Sequence, residues 1–130
     1  MIRTIIKTDK APAPVGTFNQ GIIAGSGKLL FTAGQIAIDP ESNEVFRGDI
    51  EDQTRLCLNN IKQILIAGGT EMENLVKLTV FLKDLSNFGI VNEVFSEFFP
   101  DDPPARSAIE ISELPLGVDI EIEGIAAVPQ

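Results

Sequence analysis

The residues best equipped for chemistry in this 130-residue chain are Arg106 and Glu121. From Asp84 to the C-terminus ten acidic residues accompany a single basic one, Arg106, which stands at the start of a predicted strand. A planar guanidinium can hold an anionic ligand in one orientation through a bidentate fork. The competing reading is a structural salt bridge to one of the surrounding carboxylates, and the pattern alone leaves both open. Glu121 poses a similar choice: a strand carboxylate facing a pocket can position or deprotonate a water, whereas an alternating acidic row is commonly a solvated face. The segment Leu114-Pro115-Leu116-Gly117 reads as a hairpin turn, which would place Arg106 and Glu121 on neighbouring strands and let a cation and a carboxylate share one site.

Composition narrows the chemistry. The chain has no His, so a His general base, a Ser-His or Cys-His nucleophile pair and an imidazole metal ligand are all excluded. With no Tyr or Trp, the eight Phe carry the whole aromatic load. The single cysteine, Cys57, rules out an intrachain disulfide and reads as a core thiol in a helix. Gly25-Ser26-Gly27 lacks the strand-loop-helix setting of a phosphate loop and reads as a turn. Asp101-Asp102 with Asp84 or Glu97 has no ligand spacing, so no metal is expected. A net charge of −9 opposes a phosphate backbone, and no nucleic-acid partner is expected. The N-terminal Met1-Ile2-Arg3-Thr4-Ile5-Ile6-Lys7 interrupts its apolarity with charge, so neither a secretory leader nor a membrane span is expected, and the chain reads as cytoplasmic.

The length and the 44% apolar content suit one domain, residues 1–130, with a core of its own. Residues 2–7 read as a first strand, and residues 21–24 with 29–33 as a hairpin closed by Gly25-Ser26-Gly27-Lys28. Ile50, Thr54, Cys57, Leu58, Ile61 and Leu65 form one stripe of a helix at about residues 49–67 that stops at Gly68-Gly69. Residues 75–82 read as a central strand. Ser86 or Asn87 then caps a second helix with the apolar face Val91, Val94, Phe95, Phe98, ending near Pro100. Period-two alternation in 107–111 and 118–123 gives the last strands. The order β-β-β-α-β-α-β-β predicts an α+β sheet with two helices on one face. The opposite face of the last strand, bearing Asp119, Glu121 and Glu123, then meets either water or another subunit.

These residues carry a wider pattern. Pro104-Ala105-Arg106-Ser107, Leu114-Pro115 and Ile120-Glu121-Ile122-Glu123-Gly124-Ile125-Ala126 resemble the C-terminal signature of the RidA/YjgF family of reactive-intermediate (enamine/imine) deaminases. The resemblance extends through Thr32-Ala33-Gly34-Gln35-Ile36, Gly48-Asp49-Ile50 with Gln53-Thr54, Asn60-Ile61-Lys62, residues 76–82, and Val91-Asn92 with Phe98-Phe99, and so covers essentially the whole chain. It implies a chorismate-mutase-like fold assembled as a homotrimer with an inner β-barrel and ligand clefts between subunits. It also implies hydrolysis of imines such as 2-aminoacrylate and 2-iminopropionate to 2-keto acids and ammonia, without a cofactor.

On this resemblance Arg106 clamps the substrate carboxylate, Glu121 orients the attacking water and Gly34 offers a backbone N–H. Phe18, Ala33, Asn92 and Ala108 complete the substrate-binding set. Three positions depart from the family pattern: Phe18 stands for a tyrosine, Ala33 for a serine and Ala108 for a cysteine, each removing a polar or soft atom. Loss of a hydroxyl that acts in the transition state would slow the reaction by on the order of a hundredfold. The alternative reading is a non-catalytic, small-carboxylate-binding or chaperone-like trimer that keeps the clamp without turnover. A ribonuclease reading, attached to some relatives, is opposed by the net charge and the missing His pair.

Overall fold

The structure, a computed structural model, describes residues 2–25 and 27–130. Six strands and two helices follow the expected order: β1 (Arg3–Ile6), β2 (Gly21–Ala24), β3 (Lys28–Phe31), α1 (Ile50–Ala67), β4 (Leu75–Leu82), α2 (Phe88–Phe98), β5 (Ala105–Glu110) and β6 (Ile120–Val128). Asp49 caps α1 by accepting the Asp52 N–H at 2.9 Å, and Glu51 and Asp52 place negative charge at the positive end of the helix. The helix stops where Gly68 N–H closes onto the Ile64 and Leu65 carbonyls and Gly69 turns to φ +84°. The α2 helix opens differently from expectation: Asp84 caps a short 3-10 turn at Leu85–Asn87 that leads into it, and the Asn87 side chain makes no capping bond.

Two pairings correct the sequence reading. The β2 and β3 strands do not form a hairpin: β2 pairs antiparallel with β1 in a two-stranded sheet, while β3 pairs with β6. The turn proposed between them includes Ser26, which lies outside the described residues. The β5 and β6 strands are not neighbours either, because the main sheet has the order β3-β6-β4-β5. The β5 strand returns from α2 to run parallel to β4, which leaves β6 to pair antiparallel on the far side of β4. The turn at Pro115–Gly117, with Leu116 and Gly117 at positive φ, therefore begins a crossing and closes no hairpin.

Both helices cover one face of the main sheet. Cys57, Leu58, Ile61 and Leu65 of α1 and Val91, Val94 and Phe95 of α2 meet Leu78, Val80, Leu82, Ile120, Ile122 and Ala126 in a single core. Cys57 is the core thiol expected of it, and burial pushes its pKa up to about 12, so it stays protonated. The other face is uncovered in the single chain and carries Phe31, 67% exposed, with Leu29, Ile109, Ser107 and Glu123. No helix among the described residues is long and apolar enough to cross a membrane.

The start of β6 is fixed by a buried amide. Gln53 of α1 is 2% exposed, donates to the Gly48 carbonyl at 2.9 Å and Asp119 Oδ2 at 2.8 Å, and accepts the Asp119 N–H at 3.1 Å. Asp119 thus leaves the expected acidic row and serves as a brace two residues before Glu121. Gln53→Leu strands these partners and is expected to lower the unfolding free energy by about 2–3 kcal/mol, read as a lower urea midpoint at unchanged slope.

Candidate functional site

Arg106 is the second residue of β5 and pairs with Leu78, so its side chain rises on the helix-covered face. The α2 helix meets it with Phe88, Asn92 and Phe95, spaced i, i+4 and i+7 and therefore on one helical stripe. The fourth wall is Phe18. Asn19 bridges to Ala105 and ties itself to the start of β5 through its N–H on the Pro104 carbonyl (3.1 Å) and its amide on the Pro103 carbonyl (2.7 Å). That pairing sets Phe18 beside the arginine.

The guanidinium carbon lies 4.9 Å from the Phe88 ring centroid, 5.1 Å from Phe18 and 5.2 Å from Phe95, within cation–π range of three faces. Arg106 is 9% exposed, and its one hydrogen bond among the described residues runs from Nη1 to Asn92 Oδ1 at 2.9 Å. No carboxylate of the described residues forms an ion pair with it; the ion pairs found all belong to Arg55, with Glu51, Asp52 and Glu97. Within one chain, among the described residues, Arg106 therefore has no salt bridge. In the most acidic part of the chain, a buried cation is kept away from every acid and surrounded by phenyl rings. Burial lowers its pKa to about 10, so it remains a cation at neutral pH and lacks a counter-charge.

Glu121 lies elsewhere. On β6 it pairs with Phe81 of β4 and stands between the core residues Ile120 and Ile122, so it points to the uncovered face of the sheet, half-buried. Beyond β3 the chain continues along β6: Gln35 and Ile122 exchange N–H···O bonds of 2.7 and 3.0 Å, and this brings Gly34 against the Glu121 carboxylate. Any side chain at Gly34 would overlap that carboxylate. The Glu121 carboxylate makes no hydrogen bond or ion pair with the described residues, and neither does the Gly34 N–H.

The sequence-predicted residues therefore fall into two groups. Phe18, Asn92, Arg106 and Ala108 share the helix-covered face, with Ala108 packed against the core. Gly34 and Glu121, with exposed Ala33 just before them, stand on the other side. The expected single site on adjacent strands does not exist within one chain, because β4 intervenes and the side chains point in opposite directions. Sequence reasoning also missed Phe88 and missed the second role of Phe95, which it placed only in the core. The spacing Phe88, Asn92, Phe95 was the available signal, since a polar residue between two phenyl rings on one stripe marks a group aimed at something buried.

Among the described residues, this α+β domain buries a guanidinium without an acid partner on one face of its sheet and presents a carboxylate without a partner on the other. The chain matches the family described as Endoribonuclease L-PSP over residues 8–128. It is 50% identical over 125 residues to a RutC family protein of Pyrococcus horikoshii, covering 96% of this chain and 98% of that one. It is 40% identical over 128 residues to TdcF of Escherichia coli, named there as a candidate reactive intermediate deaminase, covering 96% and 97%. The crystal structure of TdcF with bound serine superposes with a TM-score of 0.75, at 39% identity and coverage of 97% and 99%. The YjgF gene product of Escherichia coli superposes with a TM-score of 0.74, at 41% identity and coverage of 95% and 98%. The chain belongs to the RidA/YjgF family.

Proposed function

We propose that this protein is a cytoplasmic homotrimer that hydrolyses reactive 2-imino acids, of the 2-aminoacrylate and 2-iminopropionate type, to 2-keto acids and ammonia. The observation that carries the reading is Arg106, buried and without a carboxylate partner in a chain of net charge −9. A desolvated guanidinium with unused donors gains most from a planar oxyanion that enters in its plane. Phe18 and Phe88 leave little for a ligand to hydrogen-bond beyond Arg106 and Asn92, which favours a small monocarboxylate with an apolar side chain. The serine bound to TdcF is likewise a small molecule with a carboxylate.

The placement of Glu121 supports a composite site. Because it faces away from Arg106, the carboxylate that meets the substrate is Glu121 of a neighbouring copy, docked with its uncovered sheet face. The exposed Phe31, Leu29 and Ile109 supply the apolar area for that contact. In this arrangement Arg106 fixes the carboxylate, and the Gly34 N–H beside Glu121 adds a donor. Water held by Glu121 adds its oxygen to the imine carbon while the carboxylate takes the proton. The Glu121 carboxyl hands that proton to the imine nitrogen, giving a carbinolamine; the carboxylate then relays the carbinolamine hydroxyl proton to the same nitrogen as the C–N bond breaks, so that ammonia leaves, the carbonyl forms and Glu121 is again ionised. An imine is already electrophilic, so positioning and one base suffice, and the chain needs no His.

The test is a coupled assay in which an amino-acid oxidase makes the imine and semicarbazide traps what remains. Loss of trapped product that depends on Arg106 supports the deaminase. Tight binding of 2-oxobutanoate with hydrolysis at the buffer rate selects the non-catalytic binding trimer, which the apolar Phe18, Ala33 and Ala108 favour. Gly34→Ala reads the other half of the site: the added methyl must displace the Glu121 carboxylate, so kcat is expected to fall by about tenfold or more while 2-oxobutanoate affinity stays within about threefold.

A further inference from the structure

Two residues before Phe18 the chain passes unusually close to the arginine. The Phe18 N–H donates to the Gly16 carbonyl at 3.0 Å, a three-residue turn centred on Thr17 that swings the Phe18 ring over the guanidinium. The Thr17 N–H donates to Asn92 Oδ1 at 2.8 Å, the same oxygen that takes Arg106 Nη1 at 2.9 Å. Both lone pairs of that oxygen are then occupied, so the amide has one orientation and its NH2 is left as a pure donor. The Thr17 hydroxyl, 2.7 Å from Ser96 Oγ, holds the turn on α2, and Ser96 in turn donates to the Asn92 carbonyl at 3.1 Å.

Gly16 completes the arrangement by what it lacks. A Cβ at this position would stand 2.8 Å from Asn92 Oδ1 and 3.2 Å from Arg106 Nη2. The first distance is shorter than even a weak C–H···O contact of about 3.3–3.6 Å. The φ of Gly16 is not among the positive ones, so the backbone conformation does not require glycine here; closeness to the Asn92–Arg106 pair does.

We propose that Gly16 is a positioning residue of the oxyanion fork: its bare Cα lets the 16–17 turn clamp the Asn92 amide, and the amide fixes the plane in which Arg106 meets a carboxylate. Gly16 acts through Asn92 and touches no substrate. The proposal rests on the reading of Arg106 as the carboxylate-binding group. Gly16→Ala is expected to weaken 2-oxobutanoate binding, measured by calorimetry, by tenfold or more, with KM in the imine assay rising alike and kcat within about threefold. In an Asn92→Ala background the same substitution is expected to add less than twofold, since the group it would overlap is gone and Arg106 Nη2, at 3.2 Å, need give only slightly.

An affinity of Gly16→Ala within twofold of the unsubstituted protein overturns the proposal, and so does an equal loss in both backgrounds, which a merely structural glycine would give. If Gly16→Ala does not fold, Asn92→Ala alone must lose at least tenfold in affinity, and its retention of affinity overturns the proposal. If the unsubstituted protein binds no 2-oxo acid, the carboxylate reading itself fails. The side-chain amide resonances then decide the proposal without ligand: Arg106 Nε–H and Asn92 Nδ2 signals that shift and broaden in Gly16→Ala support it, and unchanged signals overturn it.

Discussion

Arg106→Gln is expected to abolish measurable 2-oxo acid binding and to lower kcat/KM for imine hydrolysis by on the order of a hundredfold to a thousandfold. The argument is local. The three phenyl rings and Asn92 already hold the guanidinium, so glutamine leaves the surrounding walls in place and removes only the charge and most of the fork. An exposed arginine would lose far less, because water screens it and neighbouring lysines substitute for it. Here no other basic residue follows Asp84, and the acids of this region repel an anion once the guanidinium is gone. Calorimetry with 2-oxobutanoate, beside thermal melts to confirm the fold, reads the effect. Binding that persists within fivefold would mean that the anion sits elsewhere. Linkage supplies a second reading: a saturating 2-oxo acid should raise Tm in the unsubstituted protein and leave the Arg106→Gln protein unmoved.

Much of the architecture was legible because periodicity records burial. The stripe from Ile50 to Leu65, its Asp49 start and the Gly68-Gly69 stop define α1 almost to the residue, and residues 75–82 are β4 as read. Pairing was less legible. Two adjacent alternating segments look like a hairpin from sequence, and nothing local reveals that β4 has been slotted between β5 and β6. The parallel return through α2 is a long-range event, decided by how that helix packs on the sheet.

The facing of Arg106 was masked for a sharper reason. In Ser107-Ala108-Ile109-Glu110-Ile111 the isoleucines mark what looks like the buried face, which would put Arg106 outside. The structure inverts this: Ile109 is 44% exposed while Arg106 is 9% exposed. A charge lies inside because Phe18, Phe88 and Phe95 surround it, and apolar residues lie outside on the sheet face that the proposed assembly covers. Rules of burial written for single chains misread strands that, as proposed for β5 and β6, serve an interface and a ligand at once.

Glu121→Gln should leave 2-oxobutanoate affinity within about threefold and cut kcat by on the order of a hundredfold or more, since a general base contributes to the chemical step and little to holding the carboxylate. The stronger experiment uses its placement. Arg106 and Glu121 project from opposite faces of one sheet, so a cleft that needs both must take one from each of two copies. Arg106→Ala and Glu121→Ala proteins, each inactive alone, are therefore expected to regain activity when unfolded together and refolded as mixed oligomers. Random assembly places an intact Arg106 opposite an intact Glu121 in about one quarter of the clefts, so about one quarter of unsubstituted activity should return. Mixing the two proteins without unfolding, where subunits do not exchange, should restore nothing. Activity that stays absent after co-refolding, with each protein folded and oligomeric, would mean that both residues act from the same chain or that Glu121 is not the base.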